Sequence, residues 1–426
     1  MNCALFPAAP AVGTCAGLAA GHFAWLECWR TDPVPDVWDA IIVGAGPAGS
    51  SLAFRLGSLG RSVLLLDCAH FPRDKLCGEY LGAGCLPLLD QIGALGEVRR
   101  HAHPGRIVSI CSPGGVAFTA RYPEGLCALS LPRRQLDAIL LGCARNRKSV
   151  EVREGFRAEK LLVEDDKVCG VKGRLLGGEA QALRARVTIG ADGRNSMVAR
   201  SLRLFRWRSS HRRMALGRHY SGIQPTGEGA EIYVGRSLYG ILNHQKHGAG
   251  NVNIVVKGGG FEAWKGKLDA WFDSLLAELP SLHARLESAR PVESVRALAP
   301  LAHYATRVSV DGALLAGDAA GFYDPFTGEG VGMALESAQL AADTIHRAIE
   351  ARCFSGRFLR QYDTARAASL RGRYRLQALI QLIVGYPRLT DFTAKRLQAR
   401  EPFVNRLLEI IGGLRRPSDF LSPGRS

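Results

Sequence analysis

The sequence predicts an α/β protein with a discontinuous parallel-sheet domain, a second domain built on a mixed or antiparallel sheet, and a helical C-terminal segment. Two glycine-rich turns, far apart in the chain, and a change of pattern between them carry this prediction. Asp39–Ser51 reads DAIIVGAGPAGSS, and Gly317–Leu335 reads GDAAGFYDPFTGEGVGMAL. Each follows a short apolar run and opens a helix-forming stretch, the strand–turn–helix order of a parallel sheet. Between them, apolar and polar residues alternate in places, with glycine-rich turns, as in antiparallel strands.

Ala40–Val43 is a short apolar run that reads as a buried strand. Gly44, Gly46 and Gly49 follow in G-x-G-x-x-G spacing, with Pro47 and Ala48 between the last two, and Ser50–Leu59 reads as a helix. Gly44 permits the tight turn, Gly46 lets a pyrophosphate approach the backbone, and Gly49 lets helix and strand pack closely. The free N–H groups of the first helical turn, at the positive end of the helix dipole, suit an anion. A second strand, Ser62–Leu66, ends at Asp67, 23 residues after Gly44. That is close to the roughly 20 expected of an acid that accepts from a ribose hydroxyl. The expectation is a Rossmann-type dinucleotide site, which alone does not separate NAD from FAD.

Ala313–Gly317 is another apolar strand, ended by Asp318, and Gly328, Glu329 and Gly330 open a long helix over Val331–Ala348. This resembles the GD motif of FAD-dependent aromatic hydroxylases, in which the acid bonds the ribityl chain. Thr188–Ser196, TIGADGRNS, resembles the DG motif of the same enzymes, with Asp192 as its acid. Pro132–Leu140, PRRQLDAIL, resembles their R-x-x-L-D helix start, with Arg133 as the arginine. Phe71–Leu81, FPRDKLCGEYL, and Asp324–Gly330, DPFTGEG, resemble the geranylgeranyl reductase branch of that superfamily, a neighbour of the flavin-dependent halogenases. The resemblance spans about residues 39–348 and implies FAD held by Gly44, Gly46, Pro47, Ala48, Gly49, Asp67, Arg133, Asp192, Gly317, Asp318, Gly328, Gly330 and Val331. It has departures. The stretch matching the reductases' Tyr-x-Trp-x-Phe-Pro wall reads SLYGILNH at Ser237–His244, and none of the six Trp residues forms the W-x-W-x-I-P segment of halogenases.

The FAD domain is expected over 39–102, 127–200 and 296–350, and the substrate-binding sheet over 103–126 and 201–295. The helical segment is expected over 351–426, and residues 1–38 form a poorly ordered extension. That extension has no Lys or Arg before Arg30 and so lacks a signal peptide's basic start; its apolar stretch Ala16–Leu26 is short. No apolar run is long enough to span a bilayer. Eleven scattered Cys without a C-x-x-C argue for reduced thiols, a cytoplasmic protein and no metal site. The net charge of +16 raises nucleic acid as a partner, but no such motif accompanies it. Its densest run, Arg203–His219, reads as a solvated basic connector, with an anionic substrate or carrier protein as the next use. Residues 371–416 carry ten Lys or Arg against three acids, with an apolar stripe at Leu376, Leu379, Ile380 and Ile383. Such a stripe packs on the protein body or lies at a membrane surface.

The flavin carries the chemistry and the protein positions it. The helix near Gly328–Val331 is expected to aim N–H groups at the pyrimidine side of the ring. The catalytic candidates are Glu329, as a general acid or a capping carboxylate, and Cys77, as a thiol beside the ring or a small buried residue. His219, His244 and His247 are candidates to face the cavity, with a surface position the more common use of such histidines. With no second nucleotide fingerprint, electrons come from transiently bound NAD(P)H or from a separate reductase. The reading favours a monooxygenase that hydroxylates or epoxidises an apolar, aromatic or polyketide-like secondary metabolite. Reduction of isoprenoid double bonds is the alternative, and a non-catalytic flavin-binding protein the third.

Overall fold

The computed structural model describes residues 36–224, 229–258 and 261–420. The extension, up to residue 35, and Ala16–Leu26 within it lie outside the described residues. Among these, the helices of ten or more residues are α1 (Pro47–Ser58), α2 (Arg133–Arg145), α3 (Leu268–Ala277), α4 (Gly330–Glu350), α5 (Gly356–Val384), α6 (Pro387–Gln398) and α7 (Glu401–Ile411).

The first sheet runs Ser309–Val310, Ala313–Leu315, Ala180–Gly190, Trp38–Val43, Val63–Leu66, Val150–Arg153. All pairings from Ala313–Leu315 to Val150–Arg153 are parallel. Their continuous apolar character follows from burial on both faces: Ile41, Ile42, Leu64, Leu65 and Leu66 are fully enclosed. Helix α1 packs against both α2 and α4. An antiparallel pair, Phe156–Glu164 and Lys167–Leu175, extends from Ala180–Gly190. The strand before Asp318 stops at Leu315, because Gly317 turns the chain at φ +59°.

The second sheet runs Arg290–Pro291, Arg213–Ser221, Gly250–Lys257, Leu238–His244, Gly229–Val234, Ile107–Cys111, Ala117–Arg121. Only the pair of Gly229–Val234 with Ile107–Cys111 is parallel. Strand alternation sorts its side chains. Met214, Leu216, Leu242, Val252 and Ile254 face α3, where Trp271, Phe272 and Leu275 cover them. Ala215, Ile241, Asn243, Asn253 and Val255 face a cavity on the opposite side.

The basic run Arg203–His219 is not a solvated connector throughout. Arg213–Ser221 is an inner strand of the second sheet. Buried Arg218 is paid for by Asp273 at 2.5 Å and by the Tyr220 hydroxyl at 2.7 Å. Charge density along the sequence does not register such partners from distant elements.

Candidate active site

The first glycine turn and the two motifs behind it form an anion cradle. Gly44 sits at φ +103°, and a Cβ on Gly49 would stand 1.8 Å from the Gly44 carbonyl oxygen, so strand and helix meet without side chains. Gly46 is different: a Cβ there would meet only the Arg73 and Arg133 guanidinium nitrogens, at 3.7 and 4.0 Å. The protein itself leaves that space open. Helix α1 has no side-chain cap and no acid in its first turn, so its N–H groups remain available to a ligand. Asp137, fully buried, takes a bidentate pair from Arg133 at 2.8 Å and a contact from Arg73 at 3.0 Å. One carboxylate serves two guanidiniums, which leaves positive charge facing the turn. Asp67 accepts Ala45 N–H at 2.7 Å and Ala69 N–H at 2.9 Å, one on each oxygen. It stabilises the turn and keeps lone pairs for a ribose hydroxyl.

Farther along the same cavity lie Asp192, Asp318, Gly328, Gly330 and Val331. Asp192 accepts Met197 N–H at 2.6 Å through Oδ2, while its buried Oδ1 has no partner among the described residues. Burial pushes its carboxyl above the usual range, against those N–H bonds. The Asp318 carboxylate makes no hydrogen bond within the described residues and borders the cavity. Lys75 lies beside it, 3.2 Å from where a Cβ on Gly193 would stand. Burial first, then the Arg133 charge, pulls the Lys75 ammonium down from its ordinary value. An open glycine cradle, surplus guanidinium, an orphaned buried oxygen and a free carboxylate fit FAD: a diphosphate for the cradle and hydroxyls for the two acids.

The loop Leu76–Glu79 forms the cavity wall between the two sheets. Cross-strand neighbours Asn243 and Asn251 hold it, donating to the carbonyls of Gly78 at 2.6 Å and Cys77 at 2.8 Å. Cys77 lines the cavity, and its sulfur accepts Glu79 N–H at 3.3 Å. Glu79 is buried at φ +60°, a conformation that costs a non-glycine residue about 1 kcal/mol. Its carboxylate accepts from Arg133 N–H at 2.8 Å, His219 at 2.7 Å and Gln245 at 2.6 Å. His219 reaches Glu293 with its other nitrogen at 2.5 Å. Burial opposes its charged form, but the two carboxylates prevail and push it up to about 9. His219 is therefore a half-buried clamp rather than a surface histidine. His244 is buried too and pairs with Glu231 at 2.7 Å; only His247 of the three is exposed. None of the three lines the cavity.

The cavity has a volume of about 850 Å³. Beyond the cradle its walls turn apolar: Ile110, Phe118, Ile232 and Val255 from the second sheet, Phe326 from the DPFTGEG loop, and the C-terminal helices opposite. Leu376, Leu379, Ile380 and Ile383 of α5 all border it, as do Leu407, Leu408 and Ile411 around α7. The stripe thus faces a cavity. Two glutamines on one face of α5 lock it there. Gln381 donates to Asp324 at 2.6 Å, and Gln377 donates to Glu329 at 2.9 Å and Thr327 at 3.2 Å.

Glu329 does not border the cavity, although Gly328 and Gly330 on either side of it do. Its side chain makes no capping bond to α4 and turns to Gln377 and to Arg373, 3.7 Å away. Burial pushes its carboxyl up, with Gln377 and Arg373 working against that rise. The geometry supports neither the acid at the ring nor the cap. Arg73, Lys75, Glu79 and Asp137 were not among the residues expected at the site. All four lie inside motifs that carry the resemblance, FPRDKLCGEYL and PRRQLDAIL, which was their available signal.

A family model described as "FAD binding domain" matches residues 37–371. The chain is 27% identical over 412 residues to Conditioned medium factor receptor 1 of Dictyostelium discoideum, covering 91% of this chain and 79% of that protein. It is 29% identical over 325 residues to Digeranylgeranylglycerophospholipid reductase of Methanosarcina mazei, covering 74% and 77%. Among solved structures, the flavin-dependent brominase Bmp2 matches with a TM-score of 0.77 at 19% identity, over 90% of this chain and 97% of that one, a likeness of fold. With the glycine cradle, the two acids and a family match over most of its length, the chain belongs to the FAD binding domain family and is an FAD-dependent oxidoreductase.

Proposed function

We propose that this protein is a reductase that saturates carbon–carbon double bonds in a long isoprenoid chain. The observation that carries the reading is the cavity, which runs from the polar cradle into a wall of Ile, Leu, Val and Phe side chains on the sheet and the C-terminal helices. An extended apolar chain matches such a wall, because each buried methylene contributes roughly 0.8 kcal/mol. The motifs FPRDKLCGEYL and DPFTGEG and the similarity to a reductase of prenyl lipids support the same substrate class. The sequence as a whole ranks hydroxylation or epoxidation first, with these two motifs pointing to reduction; the apolar wall shifts the preference to reduction.

FAD, when bound and reduced by NAD(P)H or by a separate reductase, supplies hydride chemistry. The chain's own part is to orient the alkene, exclude water and deliver a proton. Saturation adds a hydride to one carbon and a proton to its neighbour, so a proton donor must face the cavity. Cys77 is the candidate for that role: it lines the cavity, and its sulfur accepts from Glu79 N–H beside the Arg133 guanidinium, so its own S–H is not spent on that bond.

The test is product identity. Dithionite-reduced holoprotein is mixed anaerobically with geranylgeranylated phospholipid, and the lipid is analysed by mass spectrometry. Saturated product from the native chain, and its loss with full flavin content in Cys77→Ala, support the proposal. An oxygenated product formed only in air, with no anaerobic product, sinks it in favour of a monooxygenase.

A further inference from the structure

We propose that the cavity rim on α5, α6 and α7 docks onto a lipid bilayer carrying anionic headgroups, so that an apolar chain enters the cavity directly from the membrane. The proposal rests on the reading of the substrate as a lipid only for its purpose; docking itself stands on the surface.

Leu379, Leu382, Tyr386, Leu389, Phe392 and Phe403 are between 39% and 60% exposed, and all fall within 25 consecutive residues. Leu379 and Phe403 also border the cavity, so the exposed side chains continue its apolar wall to the outside. Leu382 follows Leu379 at the end of α5, Tyr386 caps the start of α6, and α6 packs on both α5 and α7. The Arg396 guanidinium lies over the Phe392 ring, 5.1 Å from the ring centroid, and Arg396 and Arg400 also line the cavity. A patch of this kind at a cavity mouth marks a contact surface.

The charge says which surface. Arg375, Arg388, Lys395, Arg396 and Arg400 are exposed around the patch. Asp391, the acid of α6, faces elsewhere: it accepts from the Ser112 hydroxyl at 2.6 Å and Gly114 N–H at 2.7 Å in the turn after Ile107–Cys111. Glu401 is the one exposed acid of the segment from Arg375 to Phe403. Exposed aromatic and aliphatic side chains ringed by cations complement an anionic bilayer interface. Among the described residues no helix is long and apolar enough to cross a membrane, and the contact proposed is a peripheral one.

Flotation of the flavin-loaded full chain with phosphatidylcholine vesicles, with and without phosphatidylglycerol, tests this. Native protein should float with the anionic vesicles and be released by high salt. Arg388→Glu with Lys395→Glu should weaken partitioning by about 25-fold or more, at about fivefold per cation. Replacing Leu382, Leu389 and Phe392 by Ser should weaken it by at least about tenfold. None of these five residues lines the cavity, so flavin content and turnover of detergent-dispersed substrate should stay native. The proposal is overturned if native protein does not float, or if both variants float like it. It is also overturned if light scattering shows a dimer that the Ser variant dissolves, which would make the patch a contact between two copies. Flotation does not depend on catalysis, so a failed reductase assay leaves its result standing.

Discussion

Replacing His219 by Gln should destabilise the protein in a way that depends on pH. His219 bridges Glu79 at 2.7 Å and Glu293 at 2.5 Å, and the pair raises it from 6.5 to about 9. Glu293 also pairs with Arg296, itself 3.7 Å from Asp74, so the ring sits in a network with charges on every side. A shift of this size corresponds to at most about 3.5 kcal/mol at about 1.4 kcal/mol per pKa unit. Partial exposure of the ring screens the pair and brings the expected contribution to about 2 kcal/mol. The folded protein binds the proton more tightly than the unfolded chain, so this contribution is complete below about pH 6.5 and is lost as pH rises through about 9. The assay is thermal or urea unfolding of both proteins across pH 6 to 10. At pH 6, His219→Gln should melt about 2–4 °C lower. At pH 10 the two curves should nearly coincide. An equal deficit at both ends would show that the ring acts by shape alone, and no deficit at pH 6 would refute the clamp.

Other perturbations follow from the same geometry. Gly46→Val should fold, since only guanidinium tips stand near a Cβ there, but should lose FAD affinity by at least about 100-fold; full flavin content after purification would contradict the cradle. Asp318→Ala should weaken FAD about 10- to 100-fold without lowering apoprotein stability, as a lost charge-assisted hydrogen bond of roughly 1.5–3 kcal/mol implies; titration with FAD reads it. Glu329→Gln should keep turnover within about threefold of native, because its carboxylate does not reach the cavity. A loss of about 100-fold at unchanged flavin content would return Glu329 to the chemistry.

What was legible in the sequence was what is encoded locally. Gly44 and Gly49 are dictated by backbone packing within one turn, and their spacing states it outright. Asp192 and Asp318 are likewise fixed by the strands they follow. The site's other half depends on partners far away in the chain. His219 and Arg218 looked like members of a basic run because Glu79, Glu293 and Asp273 come from other elements. Glu329 is next to cavity-lining glycines in sequence, yet helix geometry sends its side chain to Gln377, 48 residues later. The stripe on α5 had helical period, but period alone does not say whether an apolar face meets a core, a bilayer or a cavity. Gln377 and Gln381, set within that stripe, are what turn it toward the DPFTGEG loop.

In the proposed reductase, FAD and an isoprenoid chain share one cavity. Anaerobic stopped-flow absorbance tests it most directly, following reoxidation of the reduced flavin on mixing with geranylgeranylated lipid. Reoxidation should saturate with lipid concentration, proceed without oxygen and slow at least about tenfold when Ile232→Trp fills the apolar wall. Flavin that stays reduced until oxygen is admitted, with or without the lipid, would contradict it.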